Sequence, residues 1–493
     1  MNKTIVIGGG AAGMMAAVFA ARNGQAVTLY EQNEKLGKKL FITGKGRCNV
    51  TNDATSEQLL ANVISNPKFL YSAFYDFNAQ DCMSFFEQLG VRLKVERGNR
   101  VFPQSDHSSD IIRALEYELR RLSVNICLNS PVKALWTEDL PGQELLDPKK
   151  EPTKKCLGII LQDGKKEKAD RVVLATGGVS YPLTGANGSG LTMAQAVGHK
   201  VTELYPALVP LKIQETWCHE LMGLALKNVE VTICNGKKKL YQDFGEMLFT
   251  HYGVSGPLIL SASSRIVKKL QKQPMQLYID LKPALSPQQL DKRLLRDLSE
   301  NLHKQIGNAL AGLLPARLLP QILALAEISP YEKGDALTKE QRLKLVQTLK
   351  AVPLTITGTS DFKEAIITQG GISVKEINPS TMESKRVKGL YLAGECMDVD
   401  ALTGGFNLQI AWSTAYIAGN QNTEQIYEKE KNDELSGSNR RTCGSGQKHD
   451  RKTGCKKQRI YLRGYRRDVS CHGASYDQKQ CGYKGCGGNC KGK

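Results

Sequence analysis

The chain has no run of about 18 apolar residues, so no membrane-spanning helix is expected. None of its 13 cysteines forms a C-x-x-C pair, which removes the thioredoxin-like redox motif and the paired knuckles of common zinc sites. No Ser-His-Asp order and no histidine cluster at ligand spacing stands out, and no metal is expected. A basic stripe interleaved with aromatics is missing too. Residues 421–493 hold 17 Lys and Arg against 8 Asp and Glu, so half of the formal net charge of +18 sits there and the rest is spread thinly over the first 420 residues. On that balance no nucleic-acid partner is expected. Cys48, Cys82, Cys127, Cys156, Cys218, Cys234 and Cys396 are scattered rather than framed, which fits a reduced cytoplasm.

What is present is an ordinary globular composition, 41% hydrophobic and 24% charged over 493 residues, enough for two or three domains. The densest signal comes first. An apolar strand over residues 4–7 runs into Gly8-Gly9-Gly10-Ala11-Ala12-Gly13, a helix of small residues follows over 11–22, and a second strand over 26–30 ends at Glu31. The apolar stretch 14–21 is not read as a secretory leader, because no basic region precedes it and glycines interrupt it. In G-x-G-x-x-G, Gly8 permits the tight turn, Gly10 lets backbone approach a pyrophosphate, and Gly13 lets the helix lie close on the strand. The helix opening at Ala11 and Ala12 offers N–H groups and partial positive charge to phosphates. Glu31 accepts from ribose hydroxyls and disfavours a 2′-phosphate. An isolated glycine motif can be a mere turn; here strand, turn, helix, strand and acidic end agree in order.

That motif does not choose FAD over NAD, but two distant segments do. Residues 172–178 (VVLATGG) and 389–395 (GLYLAGE) are apolar strands ending in small-residue turns, and Gly404-Gly405-Phe406-Asn407-Leu408-Gln409 opens a further helix. FAD is long and extended, so one turn cannot serve all of it. Glu395 would reach the ribityl region, and the N–H groups from Gly405 to Leu408 the pyrimidine side, where a helix N-terminus stabilises negative charge on reduced flavin. No second G-x-G-x-x-G follows a strand, so no separate NAD(P) domain is expected; NADH or NADPH would bind transiently over the flavin. Residues 202–351 alternate in strand fashion at first and then take helical spacing. The expected architecture is α/β, a Rossmann-like FAD-binding domain of two-dinucleotide type in two parts (1–201 and 352–420). A β-rich plus helical insert (202–351) interrupts it, and a basic Cys- and Gly-rich tail (421–493), expected to be disordered, follows.

Longer strings are more specific: KKLFITGKGRCNVTN (38–52), RVFPQS (100–105), ATGGVSYPLTGANGSG (175–190), GEMLFTHYGVSGP (245–257), TMESK (381–385) and GECMDVDALTGGFNLQ (394–409). With these, residues 1–420 resemble the BaiN/YhiN-type FAD-binding flavoproteins, a family of aminoacetone-oxidase-like and NAD(P)/FAD-dependent oxidoreductases. The resemblance implies two lobes, bound FAD and a small-molecule substrate. As an activity it implies reduction of conjugated C=C bonds in 3-oxo bile acids, with hydride passing from flavin N5 to the enone β-carbon. Two alternatives stand beside it: an FAD-dependent amine oxidase of aminoacetone type, and, from another class, a flavin-bearing nucleic-acid-associated protein suggested by the basic tail.

The resemblance also supports flavin contact by the loop holding Thr43, Gly44, Arg47, Cys48 and Asn49. Arg47 or Lys45 would offset pyrophosphate charge, and Asn49 would hydrogen-bond the ring. Cys48 has no partner thiol and reads as part of a tight loop rather than as a redox group. Gln32, Lys39, Val132, Ala175, Thr176, Gly177 and Gly394 complete the cofactor set. His251, with Tyr252 as a second donor, is the general-acid candidate, since histidine titrates near neutrality; the competing reading is a structural turn packing the insert on the FAD domain. Tyr181 would line the substrate cavity or simply pack. In the tail, Cys481, Cys486, Cys490 and His472 lack zinc-site spacing.

Overall fold

The computed structural model describes residues 2–141, 152–301 and 303–421, so the basic tail and its cysteines lie outside the described residues. Five short strands pair in parallel in the order Leu390–Leu392, Arg171–Leu174, Lys3–Ile7, Ala26–Tyr30, Asn125–Cys127. Ile5, Val6, Val172, Val173, Leu390 and Leu392 are fully buried, as strands covered on both faces must be. The register places Ile7 opposite Leu174 and Leu174 opposite Leu392. Three strand ends therefore finish side by side, and the turns after them open at one carboxyl edge, where open α/β sheets bind ligands.

The helix Ala11–Arg22 leaves the first of these turns and packs on the last helix, Phe406–Gly419. Small residues allow the approach: a Cβ on Gly419 would lie 2.5 Å from the Ala16 carbonyl oxygen. A small cap follows the first strands in sequence. It contains an antiparallel sheet of Thr51–Asn52, Arg100–Pro103 and Leu93–Glu96, with helices Ser56–Ala61 and Ala79–Gln88 started by capping boxes at Thr55 and Asn78.

The insert is a closed antiparallel barrel of six strands, in the order Leu211–Ile213, Gly253–Ser255, Lys238–Thr250, Ala225–Asn235, Met275–Asp280, Val352–Thr359. Its inner face follows the period of two: Val229, Val231 and Ile233 are buried on one strand, Met275, Leu277 and Ile279 on another. Helices Pro287–Ser299 and Lys339–Lys350, each begun by a capping box at Ser286 and Thr338, add Leu290, Leu294, Leu345 and Leu349 to the same core. The closing strand Val352–Thr359 lies past the boundary drawn at residue 351 from sequence. The barrel core is separate from the core around the parallel sheet. Between them runs a two-stranded stalk, Tyr205–Ala207 against Ile367–Gln369. Among the described residues no helix is long and apolar enough to cross a membrane.

Candidate active site

A cavity of about 1090 Å³ opens at the carboxyl edge of the parallel sheet. Of the residues assigned to a cofactor from sequence, Gly8, Gly10, Ala11, Ala12, Glu31, Gln32, Lys39, Thr43, Gly44, Arg47, Asn49, Val132, Ala175, Thr176, Gly177, Glu395, Gly405, Asn407 and Leu408 line it. Segments far apart in sequence are stitched together to form this wall. Asn52 Nδ2 donates to the Gly404 carbonyl at 2.9 Å, the Trp412 indole N–H donates to the Val50 carbonyl at 2.9 Å, and the Thr51 hydroxyl donates to Gln409 Oε1 at 2.5 Å. The loop 43–52 is thereby fixed to the N-terminal turn of the last helix. A Cβ on Gly405 would fall 2.4 Å from the Thr51 carbonyl, and its φ of +100° is one that glycine adopts freely. Glu395 takes two contacts from Lys39 Nζ, at 2.7 and 2.9 Å, and the Thr368 N–H at 2.9 Å.

The remaining assigned residues stand behind the wall. Gly13 is needed for packing, since a Cβ there would sit 1.7 Å from the Gly8 carbonyl oxygen; one on Gly394 would sit 2.7 Å from the Ala12 methyl. Phe406 is buried at the start of its helix. Cys48 is fully buried, and burial pushes its thiol up to about 12, so it is an inert packed thiol at neutral pH.

Two assignments change. Arg47 lines the cavity, but its guanidinium already binds Glu96 and Asp106 and lies 4.2 Å from the centre of the Phe102 ring. With its charge met by two carboxylates, it is not free to offset a pyrophosphate. His251 and Tyr252 do not line the cavity. His251 sits exposed at the turn between barrel strands, its ring edge-on to Tyr252 at 4.4 Å, and the Tyr252 hydroxyl is given to Glu364.

The residues present fit a dinucleotide. The helix Ala11–Arg22 has no side-chain cap at Gly10, and a Cβ on Gly10 would meet nothing within 4 Å, so backbone N–H groups face open space. Asn49 Oδ1 and Thr176 Oγ1 are buried and lack a partner among the described residues, and both residues line the cavity. Buried polar atoms left so are costly unless a ligand completes them. Glu31 accepts from the Gly9 N–H at 2.6 Å and from Asn33 Nδ2 at 2.6 Å, which fixes its carboxylate beside the turn.

Sequence reasoning did not find the other wall. Leu208, Leu248, Pro257, Leu260, Ile366 and Ile367 from the barrel and its stalk close the chamber with apolar surface. They are spread over 160 positions of ordinary aliphatic sequence, with no local signal to mark them. Tyr181 does line the chamber.

A family model described as HI0933-like protein Rossmann domain matches residues 2–421. The chain belongs to this family. HI0933-like proteins of this type bind FAD, and the chain is an FAD-dependent oxidoreductase. Among its relatives, 3-dehydro-bile acid delta(4,6)-reductase of Clostridium scindens is 35% identical over 429 residues, covering 86% of this chain and 100% of the relative. Ribosomal RNA dihydrouridine synthase of Escherichia coli is 30% identical over 413 residues, 84% of this chain and 96% of the relative. The protein of the same name from Haemophilus influenzae is 29% identical over 419 residues, 84% and 97%. With two relatives named for ribosomal RNA, the expectation of no nucleic-acid partner is not carried forward.

Proposed function

We propose that this flavoprotein reduces a carbon–carbon double bond conjugated to a carbonyl, in a 3-oxo bile-acid or steroid-like substrate, with NADH or NADPH as electron source. The observation that carries the reading is the chamber's asymmetry: a polar, glycine-lined cradle on one wall and an aliphatic wall from the barrel on the other. Gly8 to Ala12, Glu31, Asn49, Thr176 and Glu395 would hold FAD, which supplies hydride chemistry when bound. Leu208, Leu248, Leu260 and Ile366 would hold a fused-ring substrate against the cradle and exclude water.

A hydride at the β-carbon leaves negative charge on the carbonyl oxygen and requires a proton at the α-carbon. In place of His251, Tyr181 is the side chain suited to deliver it. Its phenol lines the cavity and makes no hydrogen bond among the described residues, and burial raises its pKa above the usual value, so Oη keeps its proton at neutral pH. After transfer, solvent at the cavity mouth returns a proton to Oη.

A second reading has a specific support in the names of two relatives. Dihydrouridine differs from uridine by reduction of a C=C bond conjugated to a ring carbonyl, so the same chemistry would act on a uracil of ribosomal RNA.

The test is anaerobic spectroscopy of the FAD-loaded protein. Bleaching of the flavin bands by NADH or NADPH, and their return on adding a 3-oxo-Δ4 bile acid, supports the first reading. Return only with a uridine-bearing ribosomal RNA fragment supports the second. Flavin that is bleached by aminoacetone and reoxidised by dioxygen with peroxide release overturns both in favour of the oxidase.

A further inference from the structure

Five cationic side chains line the cavity: Lys38, Lys39, Lys45, Arg47 and Arg100. Three are neutralised in place, Lys38 by Glu34 at 3.1 Å, Lys39 by Glu395 at 2.7 Å, and Arg47 by Glu96 and Asp106. Lys45 and Arg100 have no carboxylate partner among the described residues, and both are exposed at the rim. The backbone presents Lys45 at a cost. It sits at φ +60° and ψ +42° between Gly44 and Gly46, themselves at φ +58° and +85°, a left-handed run that a lysine adopts only when its surroundings impose it. Phe102 lies beneath Arg100 and against the backbone next to Lys45. A Cβ on Gly44 would touch its ring at 3.5 Å, and the Arg100 guanidinium lies 5.8 Å from its centre, with Arg100 Nε anchored to the Arg97 carbonyl at 3.0 Å. This rim belongs to the segment tied to the last helix, through Asn52 and Gly404, whereas the G-x-G-x-x-G turn opens the first.

We infer that Lys45 and Arg100 form an anion cleat that grips a carboxylate or phosphate of the substrate while its conjugated ring lies in the chamber. The inference rests on reading the chamber as the substrate site, and it adds the substrate's charge: the molecule reduced carries an anionic group outside the reacting ring. A bile-acid side-chain carboxylate and an RNA phosphodiester share this chemistry.

The experiment is equilibrium binding to the FAD-loaded full chain, followed by perturbation of the flavin spectrum, with two matched pairs of probes. One pair is a 3-oxo-Δ4 bile-acid carboxylate and the neutral steroid of the same ring system; the other is a uridine oligonucleotide and free uridine. In the double variant Lys45→Gln/Arg100→Gln, the anionic member of one pair should bind about tenfold more weakly, with its neutral partner and FAD itself within about twofold of the wild type. Lys45→Arg/Arg100→Lys should recover most of that loss, and added salt should weaken the anionic probe in the wild type alone. The pair that responds identifies the source of the anion. Equal weakening of charged and neutral members, loss of FAD affinity in step, or no wild-type preference for the anion overturns the cleat. Charge-dependent binding without reduction of either probe would leave the cleat standing and remove the reductase reading instead.

Discussion

Gly10 and Gly13 lie three residues apart in one motif, and the structure makes them glycine for different reasons. A Cβ on Gly13 would strike the Gly8 carbonyl, while one on Gly10 would meet nothing within 4 Å. Gly13→Ala should therefore cost more than about 3 kcal/mol of stability, whereas Gly10→Ala should change it by about 1 kcal/mol or less. Gly10→Ala should instead raise the FAD Kd about tenfold or more. Paired denaturant melts and flavin titrations check this, and parallel losses in both variants would refute the division. These glycine roles were legible because strand, turn and helix are local in sequence. The donor role proposed for Tyr181 was not, although lining the cavity was one of its two readings, because the choice between facing a chamber and packing is a property of the fold. His251 is of the residue type commonest in proton transfer, yet it sits in an exposed turn, and Tyr181, a less conspicuous residue, lines the cavity. Tyr181→Phe should lower the rate of flavin reoxidation by substrate about 100-fold or more with little change in KM. Stopped-flow traces showing an unchanged rate would remove Tyr181 from the proton path.

At the scale of elements, one tie merits separation from catalysis. Buried His199 sets Nε2 2.8 Å from Ser384 Oγ and Nδ1 3.2 Å from Glu376, which also pairs with Arg386. The order resembles a hydrolytic triad, but Ser384 Oγ also accepts the N–H groups of Arg386 and Val387, at 3.0 and 2.9 Å, and the residue is 5% exposed. It is a clasp fastening the 376–388 segment beside the strand Leu390–Leu392. Burial lowers the His199 pKa, outweighing the attraction of Glu376, so the fold favours neutral imidazole. Its contribution is then complete above the unfolded pKa of about 6.5 and is lost as pH falls below it, with a slope up to about 1.4 kcal/mol per pH unit. His199→Gln should flatten the stability profile just below pH 6.5; a variant as steep as the wild type there would place the titration elsewhere. Glu376, held low by Arg386 and the Lys200 N–H despite its burial, acts only in a more acid range. None of this was visible in the sequence, where His199 and Ser384 stand 185 positions apart. The alternation over residues 229–234 and 276–281 was visible, but not that these stretches belong to a barrel. Closure depends on Leu211–Ile213 meeting Val352–Thr359, a pairing no local pattern encodes, in a strand whose second residue, Pro353, is a poor strand signal.

For the whole molecule, the stalk gives the division of labour a physical test. Ala207 and Ile367 are directly paired partners on antiparallel strands, so the chain leaves for the barrel and returns at adjacent positions. The two lobes have separate cores, and the cofactor cradle belongs to one of them, while the aliphatic wall comes from the barrel and its stalk. Replacing residues 208–366 with Asn-Gly would convert the stalk into a two-residue hairpin without moving either strand. The shortened protein should melt cooperatively and bind FAD. The flavin would be exposed on the side the barrel covered, so its affinity should fall and its reaction with dioxygen quicken. Reduction of a conjugated substrate should vanish, since nothing would hold the ring against the cradle or exclude water. Sedimentation and a thermal melt establish folding first, and flavin fluorescence and anaerobic turnover follow. Turnover surviving in a folded, FAD-loaded protein without its barrel would show that the chamber wall is not the substrate site, and a shortened chain that fails to fold would show that the cradle depends on the barrel for more than a wall.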